Sequence, residues 1–223
     1  RATIALYPIE DPIGYGLVHR TEECAIEEFL EKPEPHQIDT DEINAGAYLL
    51  ERSVLDEILP DQDVSIEREI FPKLVGNGLY GRRLEGYWID IGTPERYLQA
   101  NWDILEGRVS TAVGERLNDE GLLVEEGAEV SDDAELGAPA LLEAGVEVAA
   151  GATVGPRAVL GAGSTVASQA TVQGSVLLPG CKVGEGARLR DAILAPGVTV
   201  VPGFGTAPGA VVGSRIPLRG RHP

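Results

Sequence analysis

The sequence predicts an α/β domain followed by a left-handed parallel β-helix of hexapeptide repeats. Three observations predict it. From Val124 to Leu178 an apolar residue recurs every six positions. Nineteen of the 28 glycines fall after residue 110, which marks a change of architecture there. Before that point the chain alternates strand-like and helix-like segments and repeats nothing.

In the first part, strands are expected near Ile4–Tyr7, Gly16–Val18, Ile26–Leu30, Ala45–Leu50, Leu79–Leu84 and Trp88–Ile91. Each is a short β-branched or aromatic run bounded by turn residues. Helical periodicity appears in Ser53–Ile58, with Ser53 placed to cap, and in Ser65–Val75. There "SIER" sets a Ser at the N-cap, ahead of an apolar face of Ile66, Ile70 and Leu74. A third helix starts after Thr93, with Pro94 at its first position, and runs to about Glu106. This gives a partial α/β domain over 1–108 and a linker over 109–122.

The second part reads as β-helix over 123–212. Val124, Val130, Leu136, Leu142, Val148, Val154, Leu160, Val166, Val172 and Leu178 form one column. Four residues after each comes a small companion: Ala128, Ala134, Ala140, Val146, Ala152, Ala158, Ser164, Ala170 and Val176. Each hexapeptide makes one strand and one turn, and three make a triangular coil. Near Pro179-Gly180 the phase slips by one residue and resumes with Val183, Leu189, Ala195 and Val201. The tail 213–223, rich in breakers and charge, is expected to cap the last coil.

Composition removes several function classes. A net charge of −18 argues against nucleic acid, whose phosphates need clustered Lys and Arg. No apolar run approaches the ~18 residues that span a membrane, and no signal-peptide pattern opens the sequence. Cys24 and Cys181 lie far apart without metal-ligand spacing, so a reducing cytoplasm is expected, with both as small apolar residues. The chain has no Met and begins at Arg1 straight into "ATIALYPI", which we read as an N-terminal portion missing. Hexapeptide acyltransferases use a coil histidine as base. Here His19, His36 and His222 all lie outside 124–211, so the β-helix is read as a structural and assembly module, with a homo-oligomer expected.

Four stretches carry residues suited to chemistry. "FLEKPEP" puts Glu31 and Lys32 at a strand end before Pro33. Both border a cleft only if the chain turns there, and the pair otherwise reads as solvated surface charge. "INAGAYLL" sets Asn44, Ala45 and Gly46 at a strand start, where Gly46 lets a ligand approach the backbone. "DPIGYGLV" contributes Tyr15 and Gly16. In "EGYWIDIGTPERYL", Asp90 lies between Trp88 and a Gly-Thr-Pro turn.

Taken in order, "YG", "FLEKP", "INAGAYLL", "SIEREIFPKL" and "GYWIDIGTPERYL", followed by a hexapeptide β-helix, resemble the sugar-nucleotide pyrophosphorylases. Those are nucleotidyltransferases that join a sugar 1-phosphate to a nucleoside triphosphate. The wording of "SIEREIFPKL" and "GYWIDIGTPERYLQAN" is most similar to the mannose-1-phosphate guanylyltransferases. The resemblance covers about residues 3–110 and implies the C-terminal part of a Rossmann-like domain. It implies that Lys32 contacts the sugar phosphate and Glu31 the sugar hydroxyls. It also implies that Tyr15, Gly16 and Asn44–Gly46 line the sugar pocket, and that Asp90, at a strand end, binds a catalytic Mg²⁺. Lys32 and Asp90 are then the catalytic pair. A GTP and mannose 1-phosphate reaction yielding GDP-mannose is the first expectation, and a glucose 1-phosphate enzyme an alternative. The family's G-G-x-G-T-R-L-x-P-L-T signature does not occur in these 223 residues. The chain alone is therefore expected to lack turnover. A non-catalytic scaffold that binds sugar nucleotide stays open as a reading.

Overall fold

A computed structural model of the chain describes residues 1–59 and 61–213. The chain divides into two compact units, Arg1–Trp88 and the part from Ile89 onward. The first holds a five-stranded sheet: β1 Ala2–Pro8, β2 Gly16–Arg20, β3 Ile26–Glu31, β4 Glu42–Leu50 and β5 Leu79–Arg83, in the order β3-β2-β4-β1-β5. Only β1 and β5 run parallel; the other pairs are antiparallel. Alternation decides the faces. In β1, Ala2, Ile4 and Leu6 are buried, while Thr3 and Ala5 take the other side.

The buried face packs on α1 Arg52–Leu55 and α2 Phe71–Leu74, which bring Val54, Phe71 and Leu74 to the core. One π turn, Ile66–Ile70, leads into α2. Pro72 has no N–H to give Arg68, and the Phe71 N–H reaches back five residues to the Ile66 carbonyl. Ser65 caps this turn as expected, its hydroxyl accepting from the Arg68 N–H at 3.3 Å. Ser53 does not cap α1. Glu51 holds the N-cap position, and Ser53 lies inside the helix, donating to the Glu51 carboxylate. Nor is Trp88–Ile91 a strand. Among the described residues no strand pairs with it, and a strand needs a ladder partner.

In the second unit, Thr93 caps α3 Pro94–Leu105 by accepting from the Arg96 N–H at 3.3 Å. Beyond it, short strands stack into three parallel sheets of six, five and four strands. Val130 lies beneath Val148 and Val166, and Leu136 beneath Val154 and Val172, each three hexapeptides from the next. These residues and the small companions Ala140, Ala152, Ala158 and Ala170 fill the interior. Cys181 is one of the small buried positions. The predicted tail lies outside the described residues except for Gly213.

The phase slip is not at Pro179-Gly180. Leu160 pairs with Leu177, one residue short of the repeat, so the slip lies at the preceding corner, Gln173–Ser175. Leu177 faces inward and Leu178 does not; Ser175 takes the small position and Val176 points outward. A second short corner puts Leu194 and Val200 in the column in place of Ala195 and Val201. Two adjacent leucines satisfy either phase, so the pattern alone could not locate the change.

The three outer faces differ. Two are polar. The third stacks Leu123, Leu141, Val159, Val176, Ile193 and Val211 in one outward column. Helix α3 lies over its middle and buries Leu98 and Leu105. The Trp102 indole donates to the Gly174 carbonyl at 3.1 Å, and the Arg157 guanidinium sits 5.2 Å above the same ring while pairing with Glu106. The buried Asp103 carboxylate accepts from Gln99 at 2.7 Å and from Arg108 at 3.1 Å. The helix is thus fastened to the coils by Trp102 and Glu106 as well as along its apolar face, while Asp103 ties its own last turns together.

Candidate functional site

Register brings the first site residues together. Gly16 opens β2 and pairs with Glu31 at the end of β3, and Leu17 pairs with Ile43 on β4, which sets Asn44 beside Gly16. A Cβ built on Gly16 would lie 3.0 Å from a Glu31 carboxylate oxygen, 3.2 Å from the Phe29 ring and 3.6 Å from the Asn44 Cβ. Any side chain at this position would press on the carboxylate and on the Phe29 ring. Lys32 follows with φ +50, a left-handed conformation rare for a long side chain and rarer still before proline. The chain does turn there, as a cleft-bordering pair requires. Lys32 is exposed and forms no ion pair among the described residues.

Asn44–Gly46 is a bulge. Ile4 pairs with Tyr48 but Leu6 with Asn44, so β4 carries extra residues opposite β1, and Gly46 absorbs them with φ +78. Asn44 is held at both ends. Its Oδ1 accepts from the Gly46 N–H at 3.0 Å, and its Nδ2 donates to the Tyr48 hydroxyl at 2.9 Å. Tyr48 donates in turn to Glu67 Oε1 at 3.1 Å, and Glu67 Oε2 accepts from the Ser65 hydroxyl at 3.0 Å. Burial pushes the Tyr48 phenol up from its ordinary value, and the Glu67 and Glu31 charges push the same way. The phenol therefore keeps its proton at neutral pH.

Aromatic rings form another part of the site. Tyr15 meets Trp88 edge-on at 6.1 Å, Tyr7 stacks on Trp88 at 5.3 Å, and the indole donates to the Ala45 carbonyl at 3.3 Å. Sequence reasoning did not assign Tyr7, Tyr48 or Glu67. The signal available was the SIER motif beside INAGAYLL, but only sheet register joins the two.

Asp90 belongs to the second unit, in extended chain ahead of α3. Its Oδ1 accepts from the Gly92 N–H at 2.9 Å, which shapes the Gly-Thr-Pro turn below the Thr93 cap. Among the described residues no group of three or more His, Cys, Asp or Glu is arranged to hold a metal ion.

Residues 1–107 match the family model described as nucleotidyl transferase, and residues 130–208 match the GlmU-like C-terminal hexapeptide model. The chain is 39% identical over 134 residues to the mannose-1-phosphate guanylyltransferase of Mycobacterium tuberculosis, covering 56% of this chain and 37% of that one. It is 43% identical over 99 residues to the mannose-1-phosphate guanyltransferase of Schizosaccharomyces pombe, covering 43% and 26%. The probable mannose-1-phosphate guanylyltransferase 3 of Arabidopsis thaliana is 46% identical over 99 residues, 44% and 29%. The chain thus spans between about a quarter and two fifths of these curated relatives' length. The site residues of the first unit all lie inside the nucleotidyl transferase match.

Proposed function

We propose that this chain provides the sugar-phosphate side of a mannose-1-phosphate guanylyltransferase, which makes GDP-mannose and pyrophosphate from GTP and mannose 1-phosphate. The observation that carries the reading is the Glu31 carboxylate seated over Gly16 beside Asn44, with the Lys32 turn directly after it. Glu31 accepts hydrogen bonds from sugar hydroxyls, and the Asn44 amide, fixed by Tyr48 and Gly46, contributes a second polar edge. Lys32 holds the sugar phosphate as a point charge, so that a phosphate oxygen attacks the α-phosphorus in line as pyrophosphate leaves. Positioning supplies much of the rate in such a transfer.

Asp90 is the residue that would hold a Mg²⁺ ion, as a single oxygen ligand suited to a hard cation. When bound it offsets charge at the α-phosphate. No helix among the described residues is long and apolar enough to cross a membrane, and both cysteines are free. We place the reaction in the cytoplasm and read the hexapeptide β-helix as the part that assembles copies of the chain.

Calorimetric titration of the chain with mannose 1-phosphate and glucose 1-phosphate tests the site. We expect saturable mannose 1-phosphate binding that falls at least tenfold in Lys32→Ala. Preference for glucose 1-phosphate would move the assignment to that substrate, and binding unaffected by Lys32→Ala would sink it. Pyrophosphate release by the chain alone, with GTP and Mg²⁺, is expected to be absent.

A further inference from the structure

The β-helix carries its charge unevenly along its length. Residues 122–150 contain eight Asp and Glu and no Lys or Arg, whereas residues 151–213 contain four Lys and Arg against two acids. The five-stranded sheet displays this polarity in one outward column. Glu129, Glu147, Thr165, Lys182 and Thr199 stack rung on rung. Beside them Ser131, Ala149, Ala167 and Gly184 form a second column of small groups, rung over rung. Over the first three rungs this leaves a shallow depression of about 450 Å³.

Two copies can meet across this face in two ways. With axes parallel, every rung meets itself, so Glu129 faces Glu129, Glu147 faces Glu147 and Lys182 faces Lys182. With axes antiparallel, about a two-fold through Thr165 along the strand direction, Glu147 of each copy meets Lys182 of the other. Thr165 then meets itself, and Glu129 meets Thr199. Unlike charges meet only in the reversed arrangement, where Glu147 contacts Lys182 and Lys182 contacts Glu147, the reciprocal pairing of an isologous contact. We propose that this sheet is a self-association surface that pairs two copies of the chain antiparallel through two symmetric Glu147–Lys182 contacts.

This inference rests on reading the β-helix as the assembly module and specifies how it assembles. The four-stranded sheet shows a similar inversion, Glu135, Thr153, Thr171 and Arg188. Its neighbouring positions include Gln173 and Arg190, however, whose long side chains hold two sheets apart. The small column beside Glu147 and Lys182 allows close approach. Five rungs about 4.8 Å apart span roughly 20 Å, an interface at the small end of the specific range. The dimer is therefore concentration-dependent and weakened by salt.

Sedimentation equilibrium on the full chain tests it. We expect Glu147→Lys and Lys182→Glu each to raise the dimer dissociation constant at least tenfold. The double reversal Glu147→Lys with Lys182→Glu should restore it, and Glu135→Lys should leave it unchanged. All these side chains are exposed, and far-UV circular dichroism checks that each variant is folded. A dimer indifferent to Glu147→Lys, sensitive instead to Glu135→Lys, or not rescued by the double reversal overturns the antiparallel contact and leaves assembly through the β-helix standing. A wild-type chain that stays monomeric at every concentration overturns both.

Discussion

In the first unit, Asn44 on β4, Tyr48 at the far side of its bulge and Glu67 on a π turn join into one hydrogen-bonded chain, although 23 residues of sequence separate its ends. In the β-helix each buried residue repeats the one a coil below, as Val154 repeats Leu136 and Val172 repeats Val154. The first unit keeps its distinctive groups polar, irregular and single. The second spreads stability over equivalent rungs, where each coil contacts only its neighbours. A change in the first unit should therefore touch ligand binding before stability, and a change in the second should do the reverse.

The largest effect tests the repetitive half. Leu160 is fully buried between Leu142 and Leu177. Leu160→Ala should cost about 2–5 kcal/mol in denaturant unfolding and leave sugar-phosphate affinity unchanged. A matching fall in that affinity would break the contrast between the units. Tyr48→Phe tests the irregular half. It removes the acceptor for the Asn44 amide and should cost only about 1 kcal/mol of stability, while mannose 1-phosphate binding weakens several-fold. If stability falls and binding does not, the network is structural only.

The smallest effect concerns His19, whose ring is held by Asp39 at 2.7 Å and Glu28 at 2.9 Å. Partial burial alone would lower its pKa, but the hydrogen bonds and charges of Asp39 and Glu28 outweigh it and raise the value above 6.5. A raised folded value means the pair stabilises fully below the unfolded pKa and loses its contribution as pH rises through the folded one. Both carboxylates are well exposed, so the contribution is under about 1 kcal/mol. His19→Gln should flatten the stability profile across that window. An unchanged profile would show that the clamp contributes nothing measurable. Glu42, held down by Arg20 and stabilising above its unfolded pKa, is lost only in acid and so stays out of that window.

What the sequence by itself determined was whatever repeats or caps locally. The six-residue column, the Thr93 and Ser65 caps and the order of the site motifs were all legible, because each depends on residues a few positions apart. The Trp88–Ile91 segment and Ser53 misled, because a strand needs a partner and a cap needs the turn to begin where the cap stands. The corner at Gln173–Ser175 was hidden by Leu177 and Leu178, which satisfy either phase. Only the tertiary structure decided that the middle of the apolar outer column is covered by α3, and that Gly16, Glu31 and Asn44 share one face. Both depend on which strands lie side by side and in what register. That is set by burying whole faces at once, and no local pattern encodes it.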